Sequence, residues 1–384
     1  MTVKYNLDGV DLDTLYIRKE NFLDRNLFGC GYNNYGQLGD NSVTYKSSPV
    51  QTLAGGTNWK QVACGSSNTA AIKTDGTLWG WGYNIYGGIG DNTRTHRSSP
   101  VQTIAGGTNW KQVACGDAHS AAIKTDGTLW TWGYNNKGQL GDNTIAHRSS
   151  PVQTIAGGTT WKSVSCGSGY IAAIKTDGTL WGWGDNSYGQ LGDNSTTDRS
   201  SPVQTVAGGT NWKQVDCGSG HTAAIKTDGT LWTWGWNSDG QLGDNSTTDR
   251  SSPVQTIAGG TNWKQISCGY LHTAAIKTDG TLWTWGRNEG GQLGDNSVTG
   301  RSSPVQTITG STDWKQVACG YYHTAALKID GTLWTWGSNT YGALGDNSIN
   351  DKSSPVQTVA GGTNWKQVAC GYRHTIAAKS YNDL

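Results

Sequence analysis

Five Cys-x-x-x-His pairs are the residues of this chain best suited to chemistry: Cys115 with His119, Cys217 with His221, Cys268 with His272, Cys319 with His323 and Cys370 with His374. A thiol and an imidazole at this spacing are potential zinc ligands. A structural zinc ion, however, draws four ligands from two converging pairs, and each stretch here offers one pair. Asn68 and Tyr170 stand at the histidine position in two further copies. The expectation is a histidine hydrogen-bonded within its own turn, beside a small buried thiol. Gly-Asp-Asn loops recur from Asp40 through Asp91 and Asp142 to Asp346. They lack the closely spaced carboxylates of a calcium loop, and an Asp-Asn turn suits side-chain bonding to local backbone N–H groups. Neither a metal nor an organic cofactor is expected.

Catalysis needs one asymmetric constellation of nucleophile, base and orienting acid. Here nearly every Ser, His and Asp is one of several equivalent copies, and no nucleophile elbow, phosphate loop or pair of catalytic carboxylates appears. The chain reads as a non-enzyme. The copies arise from a fixed period: Trp81, Trp132, Trp183, Trp234, Trp285 and Trp336 are each 51 residues apart, with Cys30 in the same register. Seven cysteines, from Cys64 to Cys370, keep that period too. Equivalent sites in successive units are too far apart for disulfides, so free thiols and a reducing folding compartment are expected.

Composition agrees with a turn-rich β protein: 56 Gly and 20 Trp stand against two Phe and one Met. The 29 basic and 28 acidic residues give a net charge of +1, with no long run of either sign. Nucleic acid and anionic membrane are therefore poor candidate partners. The stretch Met1 to Asn6 has no apolar signal core, and no run of about 18 apolar residues occurs anywhere.

One unit predicts the fold. Trp59 to Ala63 alternates, Thr69 to Thr74 is β-prone, Asp75-Gly76 marks a hairpin into Thr77 to Gly82, and Pro100 to Ile104 supplies a fourth, edge-type strand. Four antiparallel strands in seven units describe an all-β, seven-bladed propeller of four-stranded blades over residues 27–384. The N-terminal unit begins at its third strand, Leu27 to Gly31. The last unit has only its first two, Trp365 to Ala369 and Thr375 to Lys379. These half-blades are expected to pair and close the ring. Residues 1–26 form a separate leader, with a short strand at Val3, Tyr5 and Leu7 and a helical face of Leu12, Leu15, Tyr16, Phe22 and Leu23. Its expected role is attachment or oligomerisation.

The run Leu-Trp-x-Trp-Gly-x-Asn-x-x-Gly-Gln-Leu-Gly, with Cys-Gly-x-x-His-Thr-Ala-Ala at Cys217 to Ala224, resembles the repeat of the regulator of chromosome condensation family. That resemblance implies a seven-bladed propeller closed by shared strands. The family's best-known member is an exchange factor for a small GTPase that uses a wedge-like insertion and a basic tail. This chain has neither, since every period is 51. Near-identical copies behind a leader reading Asp11-Leu12-Asp13-Thr14-Leu15-Tyr16-Ile17-Arg18-Lys19 also resemble proteins encoded by environmental bacteriophages. This implies a virion component, an appendage or capsid decoration made in the host cytoplasm.

Three windows vary between copies while their frames stay fixed. After Cys-Gly, Asp117-Ala118 in one copy becomes Tyr270, Tyr321-Tyr322 and Tyr372-Arg373 in others. After Trp-Gly, the varied residues include Tyr83, Tyr86, Tyr188, Trp236 and Arg287. Before Ser-Ser-Pro stand Tyr45, His96, His147 and Asp198. Harmless drift in exposed loops and display of a binding surface both produce such variation. The bias toward Tyr, Trp and Arg favours binding, because these side chains make large contacts at low entropic cost. The expected function is a non-catalytic recognition surface for a protein or glycan partner, with homo-oligomer or virion assembly through residues 1–26. A secreted enzyme inhibitor and a guanine nucleotide exchange factor are the alternatives.

Overall fold

The computed structural model describes residues 25–53 and 58–380. Among these residues every regular element is a strand, and the strands form seven four-stranded antiparallel sheets. Blade two shows the unit: Trp59–Cys64, Asn68–Lys73, Leu78–Gly82 and Arg97–Gln102 pair in that order. The fourth strand lies three residues earlier than the sequence suggests. A register slip between Gly80 and Gly82 brings Arg97 opposite Gly82, and Pro100 falls inside this outer edge strand, where a missing N–H is tolerated. The hairpin forms as expected. The Asp75 carboxylate accepts the Thr77 N–H and hydroxyl at 2.9 and 2.7 Å, and that hydroxyl accepts the Trp79 indole N–H at 2.9 Å.

The ring closes through blade one, in the order Lys46–Gln51, Arg25–Gly31, His374–Ser380, Trp365–Cys370. The first and last described strands therefore pair within one sheet, which removes the open edge that Arg25–Gly31 and His374–Ser380 would each otherwise present. Its first strand starts at Arg25, two residues before Leu27. The strand and helix face expected within the leader lie outside the described residues. No helix among the described residues is long and apolar enough to cross a membrane.

The core is a set of seams between blades. At the first seam Trp59, Val62, Ala71 and Trp81 of blade two pack on Leu27, Leu38 and Ile376 of blade one. Trp59, Trp81 and their counterparts through Trp314 and Trp336 are fully buried. Each such indole removes on the order of 200 Å² from water, so tryptophan carries the apolar core in a chain poor in Leu and Phe.

Polar contacts cross the same seams, which explains the repeat grammar. The Thr273 hydroxyl donates to the Gln241 carbonyl at 2.9 Å, so its oxygen can only accept from His221, whose Nε2 lies 2.9 Å away. His221 thus carries a proton on Nε2. The Trp285 indole donates to that same Gln241 carbonyl at 2.9 Å. His272, His323 and His374 reach Thr324, Thr375 and Thr69 in the same way. The histidine was expected to bond within its own turn; in these four copies it bonds to the next blade instead, its ring packed against the glycine of its own Cys-Gly turn, while His119 faces a blade with Ile171 in place of the threonine. Burial pushes His221 and His272 down to about 3 and His119 to about 4.

All eight cysteines are free. The Cys217 and Cys319 thiols donate to the Ser165 and Ser267 carbonyls of the preceding blade at 3.6 and 3.4 Å. Burial pushes Cys115 and Cys217 up to about 12, so both remain protonated thiols.

Candidate recognition face

Strand alternation places two sets of loops on one side of the ring: the turns after Cys-Gly and the long loops after Trp-Gly. This loop face collects the variable windows. The long loop is rigid for reasons present in every copy. In blade two the buried Asn84 donates to the Asp91 carboxylate and to the Thr93 and Thr95 carbonyls at 3.1 to 3.2 Å, and accepts the Ile89 N–H at 2.9 Å. Asp91 accepts the Thr93 N–H at 3.1 Å, as expected from the Asp-Asn turn, and also pairs with Arg97 at 2.7 Å. Its burial raises the pKa, but the Thr93 hydroxyl and the Arg97 guanidinium outweigh this and hold it below the usual carboxylate range. The following Asn92 turns the chain at φ 60°.

On this frame the ten expected site residues fall into two groups of one aromatic and cationic belt. Tyr188 stacks on Trp236 at 4.8 Å, and Trp236 meets the edge of Tyr270 at 6.1 Å. Tyr270 stacks on Tyr321 at 4.1 Å, and Tyr321 contacts both Tyr322 and Tyr372. Arg373 lies over Tyr372 at 4.6 Å and Tyr322 at 5.9 Å, while Arg287 lies over Tyr322 at 5.9 Å and pairs with Glu289. Tyr83 and Tyr86 form the other end of the same belt, 6.3 Å apart.

The sequence reading missed the residues that join the two ends. Arg373 also covers Tyr341 at 4.8 Å, Tyr341 contacts Tyr32 and Tyr45, and Tyr32 leads through Tyr35 to Tyr83. Tyr86 then meets Tyr134 at 4.5 Å, with His96 and His147 stacked alongside. Every tyrosine among the described residues except the buried Tyr170 belongs to this belt. Between Tyr134 and Tyr188 the belt is interrupted by charge: Lys137 reaches Asp198 at 3.0 Å and Asp185 at 3.7 Å. The residue types were a visible signal; their neighbours around the ring were not.

At the centre of the face the turns surround one mouth of the axial channel. Ser66, Asp117, Ser168 and Ser219 occupy one arc, and Tyr270, Tyr321 and Tyr372 the other. Tyr321 spans the mouth, with its hydroxyl 3.4 Å from the Asp117 carboxylate on the far wall. Burial raises the pKa of Asp117 against the opposing Ser66 hydroxyl bond, and burial beside Asp117 raises that of Tyr321.

These features define a ring of seven stitched β blades that holds a rigid aromatic face. The chain belongs to the RCC1-like domain family, whose model matches residues 20–307 and 208–384. It is 36% identical over 328 residues to the ultraviolet-B receptor UVR8 of Arabidopsis thaliana, covering 83% of this chain and 74% of that protein. It is 29% identical over 366 residues to the human E3 ubiquitin-protein ligase HERC2, spanning 91% of this chain but only 8% of that protein. Among solved structures, Prp20p from Saccharomyces cerevisiae, described with its binding to Gsp1p and histones, superposes with a TM-score of 0.83 at 22% identity, over 94% of this chain and 92% of that one.

Proposed function

We propose that this chain is a non-catalytic propeller whose loop face recognises a protein partner. The observation that carries the reading is the aromatic belt. Its rings are fixed against one another and partly exposed, Tyr188 by 37% and Tyr45 by 44%, on loops held by buried asparagines. Pre-ordered tyrosine and tryptophan lose little entropy on contact, and Arg373, stacked among three rings, adds a charged donor. A protein ligand is also what Prp20p, a propeller of the same fold, is described as binding.

The setting we propose is a bacteriophage virion, as an appendage or capsid decoration, with residues 1–26 as the attachment or oligomerisation segment. Support comes from the resemblance of the repeats and of Asp11 to Lys19 to phage-encoded proteins. The recognition role is tested by affinity capture with the immobilised full chain, comparing wild type with a Tyr321→Ala, Tyr322→Ala double variant of matched fold. The reading expects a protein retained by wild type and lost by the variant. Equal retention at equal thermal stability removes this part of the face from the site, and retention that survives protease but not glycosidase treatment of the captured species replaces the protein with a glycan.

A further inference from the structure

The net charge of +1 conceals a division of charge between the two faces. On the face opposite the aromatic belt, which carries the hairpins and the blade-to-blade links, two lysines per blade recur in all seven blades, represented by Lys60 and Lys73. Against these fourteen lysines the described residues place seven aspartates: Asp75, its five counterparts through Asp330, and Asp313.

The two lysine rings differ in their surroundings. The Lys73 ammonium lies over the Trp79 and Trp59 rings at 4.2 and 5.2 Å. Burial raises the pKa of Asp75, but the Thr77 N–H and hydroxyl, with a smaller share from the Lys73 charge, outweigh it and hold the carboxyl below its ordinary value. This outer ring is held by indoles and offset by the hairpin carboxylates. The Lys60 ring stands closer to the axis, at the start of each innermost strand. Lys60 is the bulged residue between Trp59, opposite Lys73, and Gln61, opposite Ile72, so it has no partner position in the sheet. Lys60, Lys111, Lys162, Lys213, Lys264 and Lys315 are all solvent-exposed, and none forms an ion pair or side-chain hydrogen bond. The innermost strands surround an axial channel of about 450 Å³, and Lys213 is among its lining residues. The opposite mouth of that channel is the one spanned by Tyr321.

We propose that this lysine collar, at the link-face mouth of the axial channel, binds a compact polyanion carrying several phosphate groups. Like charges gathered around one axis repel one another, and a multivalent anion on the axis relieves that repulsion at many ammonium groups at once. Lysine, a point charge on a flexible stem, suits phosphate without demanding the bidentate geometry of arginine. The aspartates select for size. Asp75 and its counterparts are exposed and lie outside the collar, so an extended polyanion such as duplex nucleic acid or an anionic membrane crossing the face meets an outer ring of carboxylates. A molecule seated over the channel does not. Within the channel wall the carboxylate is Asp216, raised in pKa by burial against the Cys268 N–H and the Ser165 hydroxyl, so the anion is expected at the collar rather than deep inside.

Isothermal titration of the full chain with inorganic tripolyphosphate, a nucleoside triphosphate and inositol hexakisphosphate tests this, with orthophosphate and duplex DNA as controls. The collar predicts saturable binding of one molecule per chain, weakened by added salt, with the three probes distinguishing which source of clustered phosphate fits. A Lys111→Gln, Lys213→Gln, Lys315→Gln triple variant, altered only at exposed positions, is expected to bind about tenfold or more weakly at unchanged melting temperature. A Tyr322→Ala variant is expected to bind like wild type. No saturable binding at low salt, equal affinity in the triple variant, or several molecules bound per chain would overturn the proposal. DNA binding that tripolyphosphate fails to displace would replace it with an extended nucleic-acid surface.

Discussion

Gln61 of blade two and Val113 of blade three exchange two hydrogen bonds across their seam: the Gln61 amide donates to the Val113 carbonyl at 3.0 Å and accepts its N–H at 3.1 Å. The same clamp joins Gln265 to Val317 and Gln367 to Val62. Blade four breaks the series. Ser163 stands at the glutamine position, too short to cross, and its hydroxyl is buried without a partner. Val215 beyond it is 8% exposed, against 2% for Val113 and Val317.

The seam between blades four and five therefore lacks the glutamine clamp, although Ser165 and Tyr170 hydrogen-bond across it to Asp216 and His221. Ser163→Gln is expected to stabilise the chain by about 1–2 kcal/mol, and Gln61→Ala to destabilise it by about 2 kcal/mol, since the latter strands a buried N–H and carbonyl. Denaturant melts of both variants check this, and a neutral or destabilising Ser163→Gln contradicts it.

Acid should loosen the same seams. His221, His272 and His374 fall to about 3 in the folded chain, and His119 and His323 to about 4, all below the ordinary 6.5. A depressed histidine contributes stability that is complete above the unfolded value and is lost as pH falls toward the folded one. The raised carboxylates Asp117 and Asp216 act in the opposite sense but are outnumbered. Melting temperature is expected to fall between about pH 7 and 5. His221→Asn, which copies Asn68 of blade two, should flatten that slope.

The glycine after each periodic cysteine is fixed by packing. A Cβ on Gly218 would lie 2.3 Å from His221 Cε1 and 2.5 Å from the Gly269 carbonyl oxygen, whereas one on Gly259 meets nothing within 4 Å. Gly218→Ala is expected to cost about 3 kcal/mol, and Gly259→Ala about 1 kcal/mol from its positive φ alone. Equal costs by thermal denaturation would contradict the packing argument.

Strand identity, blade number and ring closure were legible because a 51-residue period fixes them together. Trp-x-Trp, Gly-Gln-Leu and His-Thr were legible as a pattern but not as a contact, since Trp285, Gln241 and Thr273 meet only across a seam. The same limit hid the lysine collar, whose members are 51 residues apart and form no basic run. The candidate face was half legible: Tyr270 and Tyr321 stood out by type, while Tyr32, Tyr35, Tyr134 and Tyr341 belong to it only because the ring brings neighbouring loops together.

The proposed role of residues 1–26 makes native mass sensitive to them. Light scattering of the full chain should report an oligomer, and a chain starting at Phe22 a monomer. The same mass for both would remove assembly from that segment.

The central claim, recognition through the loop face, is tested most directly by site-specific photocrosslinking. A photoreactive residue replaces Trp236 on the aromatic belt in one variant and the exposed Ile257 on the opposite face in another. Crosslinks to a protein from position 236 and none from position 257 are the predicted result. Protein crosslinks from position 257 alone would contradict the account.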